Sequence, residues 1–160
     1  MEKRVAQYAL MVALAMVLSW LESMVPLPGL MPGMKVGLAN LAVVFALYRM
    51  SLRDAAGISL ARVALVSLTF GNAYSFAYSL AGAVLSLGVM AGLKKLDRFS
   101  VVGVSIAGGA CHNLGQLLVA MAVMETPRLG WYLPALLAGG TAAGAVIGAV
   151  GGLIVERVRV

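Results

Sequence analysis

The sequence predicts an all-α integral membrane protein of six transmembrane helices with both termini in the cytoplasm. Three observations predict it. Apolar residues recur in long blocks, most charges fall between the blocks, and no stretch alternates polar and apolar as a β-barrel strand would. Hydrophobic residues make up 62% of the 160-residue chain and charged residues 11%, with a mean hydropathy of +0.98. A water-soluble domain has about half apolar and about a quarter charged residues.

Breaks at Pro26–Lys35, Arg49–Asp54, Gly71–Tyr74, Lys94–Ser100 and Glu125–Gly130 divide the chain into six segments. They are roughly Val5–Val25, Val36–Tyr48, Ala55–Phe70, Ser75–Leu93, Val101–Met124 and Trp131–Val155. A spanning helix needs about 20 residues, with a range of about 17–25. Four segments meet this. The second and third are short, and Lys35, Tyr48 and Arg53 can snorkel to extend them. The segments form one membrane domain over residues 1–160.

The cations set the orientation. Lys3 and Arg4, Arg49 and Arg53, Lys94, Lys95 and Arg98, and Arg157 and Arg159 all fall on one side, while Lys35 and Arg128 fall on the other. By the positive-inside rule the first group is cytoplasmic, which makes this a multi-pass protein of the cell membrane. The net charge of +6 follows from this topology rather than from a clustered basic face of the kind that binds nucleic acid. Lys3-Arg4 before an apolar run imitates a signal peptide, but the run continues to Val25, and it is read as a retained span. The single cysteine, Cys111, makes no internal disulfide and no cysteine-rich metal cluster.

Membrane helices associate through small residues that permit close approach. Gly140, Gly144, Gly148 and Gly152 form one ridge on the sixth helix. Gly103, Ala107, Cys111 and Gly115 have the same spacing on the fifth, and Ala9 and Ala13 share a face of the first.

Polar groups within the membrane are costly and mark functional sites by default. Arg62 stands near the centre of the third helix with no carboxylate nearer in that helix than Asp54. His112 and Gln116 are one turn apart on the fifth helix, Gly108 leaves room on the same face, and Asn113 points about 100° away. Asn40 opens the second helix, and Tyr74 and Tyr78 lie one turn apart on the fourth. Each has a structural reading as well: carbonyl satisfaction for Arg62, interhelical hydrogen bonding for His112, Asn113 and Gln116, and an interfacial aromatic belt for the tyrosines. The functional reading joins Lys35, Asn40, Arg62, Tyr74, Tyr78, His112, Asn113 and Gln116 into an outward-facing cup. A cup with a cationic floor and an aromatic wall suits a small amphipathic, anionic molecule. The first loop, Val25–Met34, has three prolines and two glycines among apolar residues and reads as a lid or as an interfacial loop.

Several chemistries lack their residues. No Walker-type phosphate loop is present, so ATP is not held by this chain. One histidine without a cysteine or carboxylate cluster is not a metal site. The chain has six acidic residues, and none lies within four positions of another, so no acidic metal–diphosphate site is visible. Glu22 and Glu125 are placed near the outer face, away from the depth of Arg62.

The run Pro32-Gly33-Met34-Lys35-Val36-Gly37-Leu38-Ala39-Asn40, the run Phe76-Ala77-Tyr78-Ser79-Leu80-Ala81-Gly82 and the run His112-Asn113-Leu114-Gly115-Gln116-Leu117 resemble the Gx transporter family. That family is also catalogued as heptaprenyl diphosphate synthase component I. It is similar to the S components of energy-coupling factor (ECF) vitamin transporters, and Ala9-Leu10-Met11-Val12-Ala13 matches their Ala-x-x-x-Ala docking motif. The resemblance implies a six-helix, non-enzymatic S component with an external pocket for a vitamin, cofactor or precursor. It also implies docking through Ala9 and Ala13 to a transmembrane coupling protein that works with two ATPases. The alternative is a membrane-associated component of a prenyl diphosphate synthase. A third, proton-coupled transport, relies on Glu22.

Overall fold

The computed structural model describes residues 2–24 and 37–158, and Lys35 and the predicted lid Val25–Met34 lie outside them. Six α-helices are present: α1 Glu2–Met24, α2 Asn40–Arg49, α3 Leu52–Phe70, α4 Ala73–Lys95, α5 Val101–Val123 and α6 Leu133–Arg157. A 3₁₀ turn, Pro127–Tyr132, leads into α6, and no strand occurs among the described residues. Four stretches are long and apolar enough to cross a bilayer: Arg4–Glu22, Ala73–Lys95, Val101–Val123 and Pro127–Arg157. They carry exposed apolar side chains along their length, Val5, Leu10, Val84, Leu118 and Leu153 among them. The architecture is that of a membrane helical bundle.

The predicted boundaries hold closely except at α2, which starts at Asn40 rather than Val36. Its ten residues reach only about 15 Å, about half of the roughly 30 Å hydrocarbon layer. Gly37 causes the late start. It takes a positive φ of 78°, and its carbonyl accepts from the Asn40 N–H at 2.8 Å. A left-handed residue of this kind belongs to a turn rather than to a helix. The short helix is apolar all round, and Ala42 to Leu47 are all buried. That is the pattern of a helix enclosed on every side. Ala15 of α1, Ile58 of α3, Met90 of α4, Val104 of α5 and Ile147 of α6 form one core with it.

α3, α4 and α5 start with side-chain caps. Ser51 Oγ accepts from the Asp54 N–H at 3.1 Å, and Ser100 Oγ accepts from the Gly103 N–H at 3.2 Å. At Asn72 and Ser75 each side chain accepts from the other's backbone N–H, a reciprocal capping box. α5 ends with Glu125 at a φ of 48° and a 3.2 Å bond from the Thr126 N–H to the Met121 carbonyl, a left-handed C-terminal cap.

Glycine governs how α4, α5 and α6 meet. A Cβ on Gly140 would stand 2.6 Å from the Gly109 carbonyl oxygen, and one on Gly148 would stand 2.7 Å from Val102 Cα. Gly144 is pressed against Ser105 in the same way. Three of the four predicted α6 glycines therefore line the α5 seam, while a Cβ on Gly152 would come no closer than 3.9 Å to anything. The predicted α5 stripe is different. Gly109, not the Gly103–Ala107–Cys111 row, meets α6, and Gly115 faces α4, where a Cβ would lie 2.8 Å from the Ala81 carbonyl oxygen. The four-residue spacing is real on both helices, but α5 has close neighbours on two sides, and spacing does not say which row meets which.

The basic ends of the helices gather at one end of the bundle. Arg4 pairs with Asp54 at 3.1 Å. Arg49 donates to the Val155 carbonyl, its Nε at 2.6 Å, which joins the end of α2 to the end of α6. Lys94 Nζ donates to the Leu47 carbonyl and stands 5.0 Å from the centre of the Tyr48 ring. Cations placed on helix C-terminal carbonyls also meet the negative end of the helix dipole.

Two outcomes follow. Gly140→Ala should destabilise the protein by about 1–3 kcal/mol through overpacking. Gly88→Ala, where the added Cβ meets nothing within 4 Å, should be neutral or stabilising by up to about 1 kcal/mol. Thermal unfolding in detergent tests both, and an unchanged midpoint for Gly140→Ala would refute the seam. The hydrogen bonds from Ser51 and then from Arg4 hold the Asp54 carboxyl below its ordinary pKa of 3.8. A lowered folded pKa means that this stabilisation is complete above 3.8 and fades as pH falls through the folded value. Asp54→Asn should lower stability at neutral pH slightly, since Arg4 is largely exposed, and converge with wild type in acid, which flattens the acid limb of the stability profile.

Candidate functional site

Beside the N-terminal half of α2, where the short helix leaves the long ones unfilled, lies a small, partly open cavity of about 40 Å3. Its lining draws on every helix: Glu22 from α1, Asn40 and Val44 from α2, Arg62 from α3, Ser86 and Met90 from α4, Ser105, His112, Asn113 and Gln116 from α5, and Gly140, Gly144 and Ile147 from α6. Gly37, at the turn before α2, completes it.

The glycine contacts place the α5 side chains. A Cβ on Gly82 would lie 2.8 Å from the His112 carbonyl oxygen and 3.0 Å from the His112 ring and the Gln116 side chain. Only glycine there allows α5 to sit so close to α4 with His112 and Gln116 on the cavity wall. Gly108 has the same effect one turn earlier, since its Cβ would strike Met90 Sδ at 2.6 Å. Asn113 is buried, and its Nδ2 donates to the Leu136 carbonyl of α6 at 2.7 Å. It thus ties α5 to α6 and also lines the cavity.

Arg62 carries the most unusual electrostatics. Its Nε–H is buried and has no hydrogen-bond partner among the described residues. A buried donor left unmet costs about 1–3 kcal/mol, and more when charged. The sequence places the Glu22 and Glu125 carboxylates near the outer face, away from Arg62. Glu22 lines the same cavity, and its charge acts on the guanidinium. The Glu22 carboxylate also accepts from the Gly37 N–H, which draws the turn before α2 against the end of α1. Ser105 Oγ is a second buried group in the lining without a hydrogen-bond partner among the described residues.

The structure brings together Asn40, Arg62, His112, Asn113 and Gln116 of the predicted cup. Lys35 lies outside the described residues. Tyr74 and Tyr78, the expected aromatic wall, are not among the residues that line this cavity. Tyr74 is 62% exposed at the start of α4. Tyr78 is half-buried one turn before Gly82 on α4. Ala9 and Ala13 are both exposed on α1, whereas Ala15 is buried.

Ser86 and Ser105 escaped the sequence reading, and Glu22 entered it only as an outer-face carboxylate and for proton-coupled transport, not as part of the cup. For Glu22 the signal was present, since a carboxylate inside an apolar segment is suspect by default. It lies near the end of its segment, and its distance from Arg62 depends on how α1 crosses α3. Ser86 and Ser105 resemble ordinary packing residues, and nothing in the sequence marks their shared exposure to one cavity. Among the described residues no group of three or more His, Cys, Asp or Glu could hold a metal ion.

No curated protein and no solved structure matches the chain. A family model described as heptaprenyl diphosphate synthase component I matches residues 11–154, nearly the whole chain. The chain therefore belongs to the heptaprenyl diphosphate synthase component I family.

Proposed function

We propose that this chain is a non-catalytic, membrane-embedded binding subunit that holds a small amphipathic molecule in the central cavity. One observation carries the reading: the buried Nε–H of Arg62, unmet among the described residues, lines a polar cavity to which all six helices contribute. Buried polar groups are nearly always partnered, and the occupant of the cavity would supply the partner. Arg62 would meet an acidic or carbonyl oxygen of the ligand. Asn40, His112 and Gln116 would orient it, and Asn113 would hold the wall.

The family supports a membrane-associated component of heptaprenyl diphosphate synthase, working with partner subunits. Metal-assisted diphosphate chemistry does not fit the acidic side chains described in this chain, so the partner would perform it. Six spans with both termini cytoplasmic remain our topology for the cell membrane, supported by the basic helix ends that meet at one end. A second reading is the S component of an ECF-type importer, with a transmembrane coupling protein and two ATPases that use the ATP. Ala9 and Ala13 favour it, because they leave an exposed small-residue face where a partner helix can approach closely.

Native mass spectrometry of the protein purified from its membranes tests both. A co-purifying small molecule is expected, and Arg62→Gln should lower its retention by about tenfold or more, as loss of a charge-assisted contact implies. Co-isolation of a prenyltransferase subunit supports the first assembly, and co-isolation of a coupling protein with ATPases supports the second. Ala9→Leu with Ala13→Leu should reduce partner recovery while the bound molecule stays. No bound molecule in wild type, or unchanged retention in a folded Arg62→Gln protein, would refute the binding role.

A further inference from the structure

The cavity contains one guanidinium, Arg62, and one carboxylate, Glu22, and its other described lining residues are uncharged apart from the titratable His112. Its polar wall is otherwise made of amides and hydroxyls from Asn40, Gln116, Ser86 and Ser105. Glu22 keeps its place by accepting the Gly37 N–H, so it is held at the cavity rather than swinging free. A guanidinium alone would draw any anion, and a polyanion most strongly. A fixed carboxylate on the wall of the same cavity offsets that attraction, and in a low-dielectric surround the offset is little screened.

We propose that Glu22 is the specificity-determining residue of the cavity: it balances Arg62, so that the site takes a small molecule bearing both an acidic and a basic or N–H-donating group, and rejects polyanions. The acidic group meets the Arg62 Nε–H, and the donor group meets the Glu22 carboxylate. The Ser105 hydroxyl, unmet in the described structure, serves the ligand's remaining polar atom. This deepens the binding-subunit reading and rests on it. Under the synthase assembly, it means that the cavity does not hold the diphosphate end of a prenyl diphosphate.

The test uses inorganic diphosphate as the probe polyanion, with wild type, Glu22→Gln and Arg62→Gln purified in detergent. Glutamine at position 22 retains a carbonyl oxygen for the Gly37 N–H and removes only the charge. Affinity for diphosphate by calorimetry should be at least about tenfold higher for Glu22→Gln than for wild type, equivalent to about 1.4 kcal/mol. Arg62→Gln should show none. Equal affinity in wild type and Glu22→Gln, including no binding to either, overturns the proposal. If Glu22→Gln does not fold, wild type decides: measurable binding of diphosphate overturns the proposal, and its absence supports it. In parallel, small molecules released from denatured wild type are identified by mass. A compound with acidic and basic groups supports the charge balance. A purely acidic compound overturns it and leaves the binding subunit intact, whereas no compound at all overturns both.

Discussion

The structure depends on the enclosure of one helix too short for the layer around it. α2 has ten residues, is apolar through its buried middle, packs against α1, α3 and α6, and shares one core with residues of α4 and α5. A helix of about 15 Å fills only about half of the hydrocarbon thickness. The long helices continue past its start at Asn40 and enclose a space that α2 does not occupy. The cavity is that space, which is why Gly37, Asn40 and Val44 form its edge. At the other end α2 is held to α6 by Arg49 on the Val155 carbonyl, and to α4 by Lys94 on the Leu47 carbonyl. Those contacts keep the short helix at one end and leave the opening at the other.

The width of the cavity is set by the glycine seams. Hydrophobic burial gives little drive to helix association in lipid, so close backbone approach and interhelical hydrogen bonds must supply it. α5 takes both. It meets α6 through Gly109, Gly140, Gly144 and Gly148, and it meets α4 through Gly82 and Gly115. The Asn113 bond to the Leu136 carbonyl fixes the register between α5 and α6. With α5 clamped on two sides, the positions of His112 and Gln116 on the cavity wall follow from backbone geometry rather than from loops. The short polar sequence in α5 thus serves packing and the site together.

Charge within the bundle is arranged in two different ways. At the basic end, cations meet carbonyls at helix ends and the Asp54 carboxylate, a stable and partly solvated arrangement. Inside, Arg62 faces a cavity with Glu22 nearby and with its Nε–H unmet among the described residues. The first pattern is a structural use of charge and marks orientation. The second leaves a donor unmet among the described residues, and this contrast separates the candidate site from the scaffold.

By itself the sequence determined the all-α class, the places where helices begin and end to within a few residues, and the separation of basic from non-basic ends. These properties are local or summed: apolar run length, caps such as Ser51, Asn72 and Ser100, and the cost of charge in lipid. It also singled out Arg62, His112, Asn113 and Gln116, since a polar side chain inside an apolar run is conspicuous without any structure. Only the tertiary structure decided that Glu22 shares a cavity with Arg62, that Tyr74 and Tyr78 stay off its wall, and that Gly109 rather than the Gly103 row meets α6. Those facts depend on how helices far apart in sequence cross and rotate against one another. A period of four residues identifies a face of a helix. Which neighbour that face meets is set by the mutual fit of all six helices around α2, and no single segment carries that information.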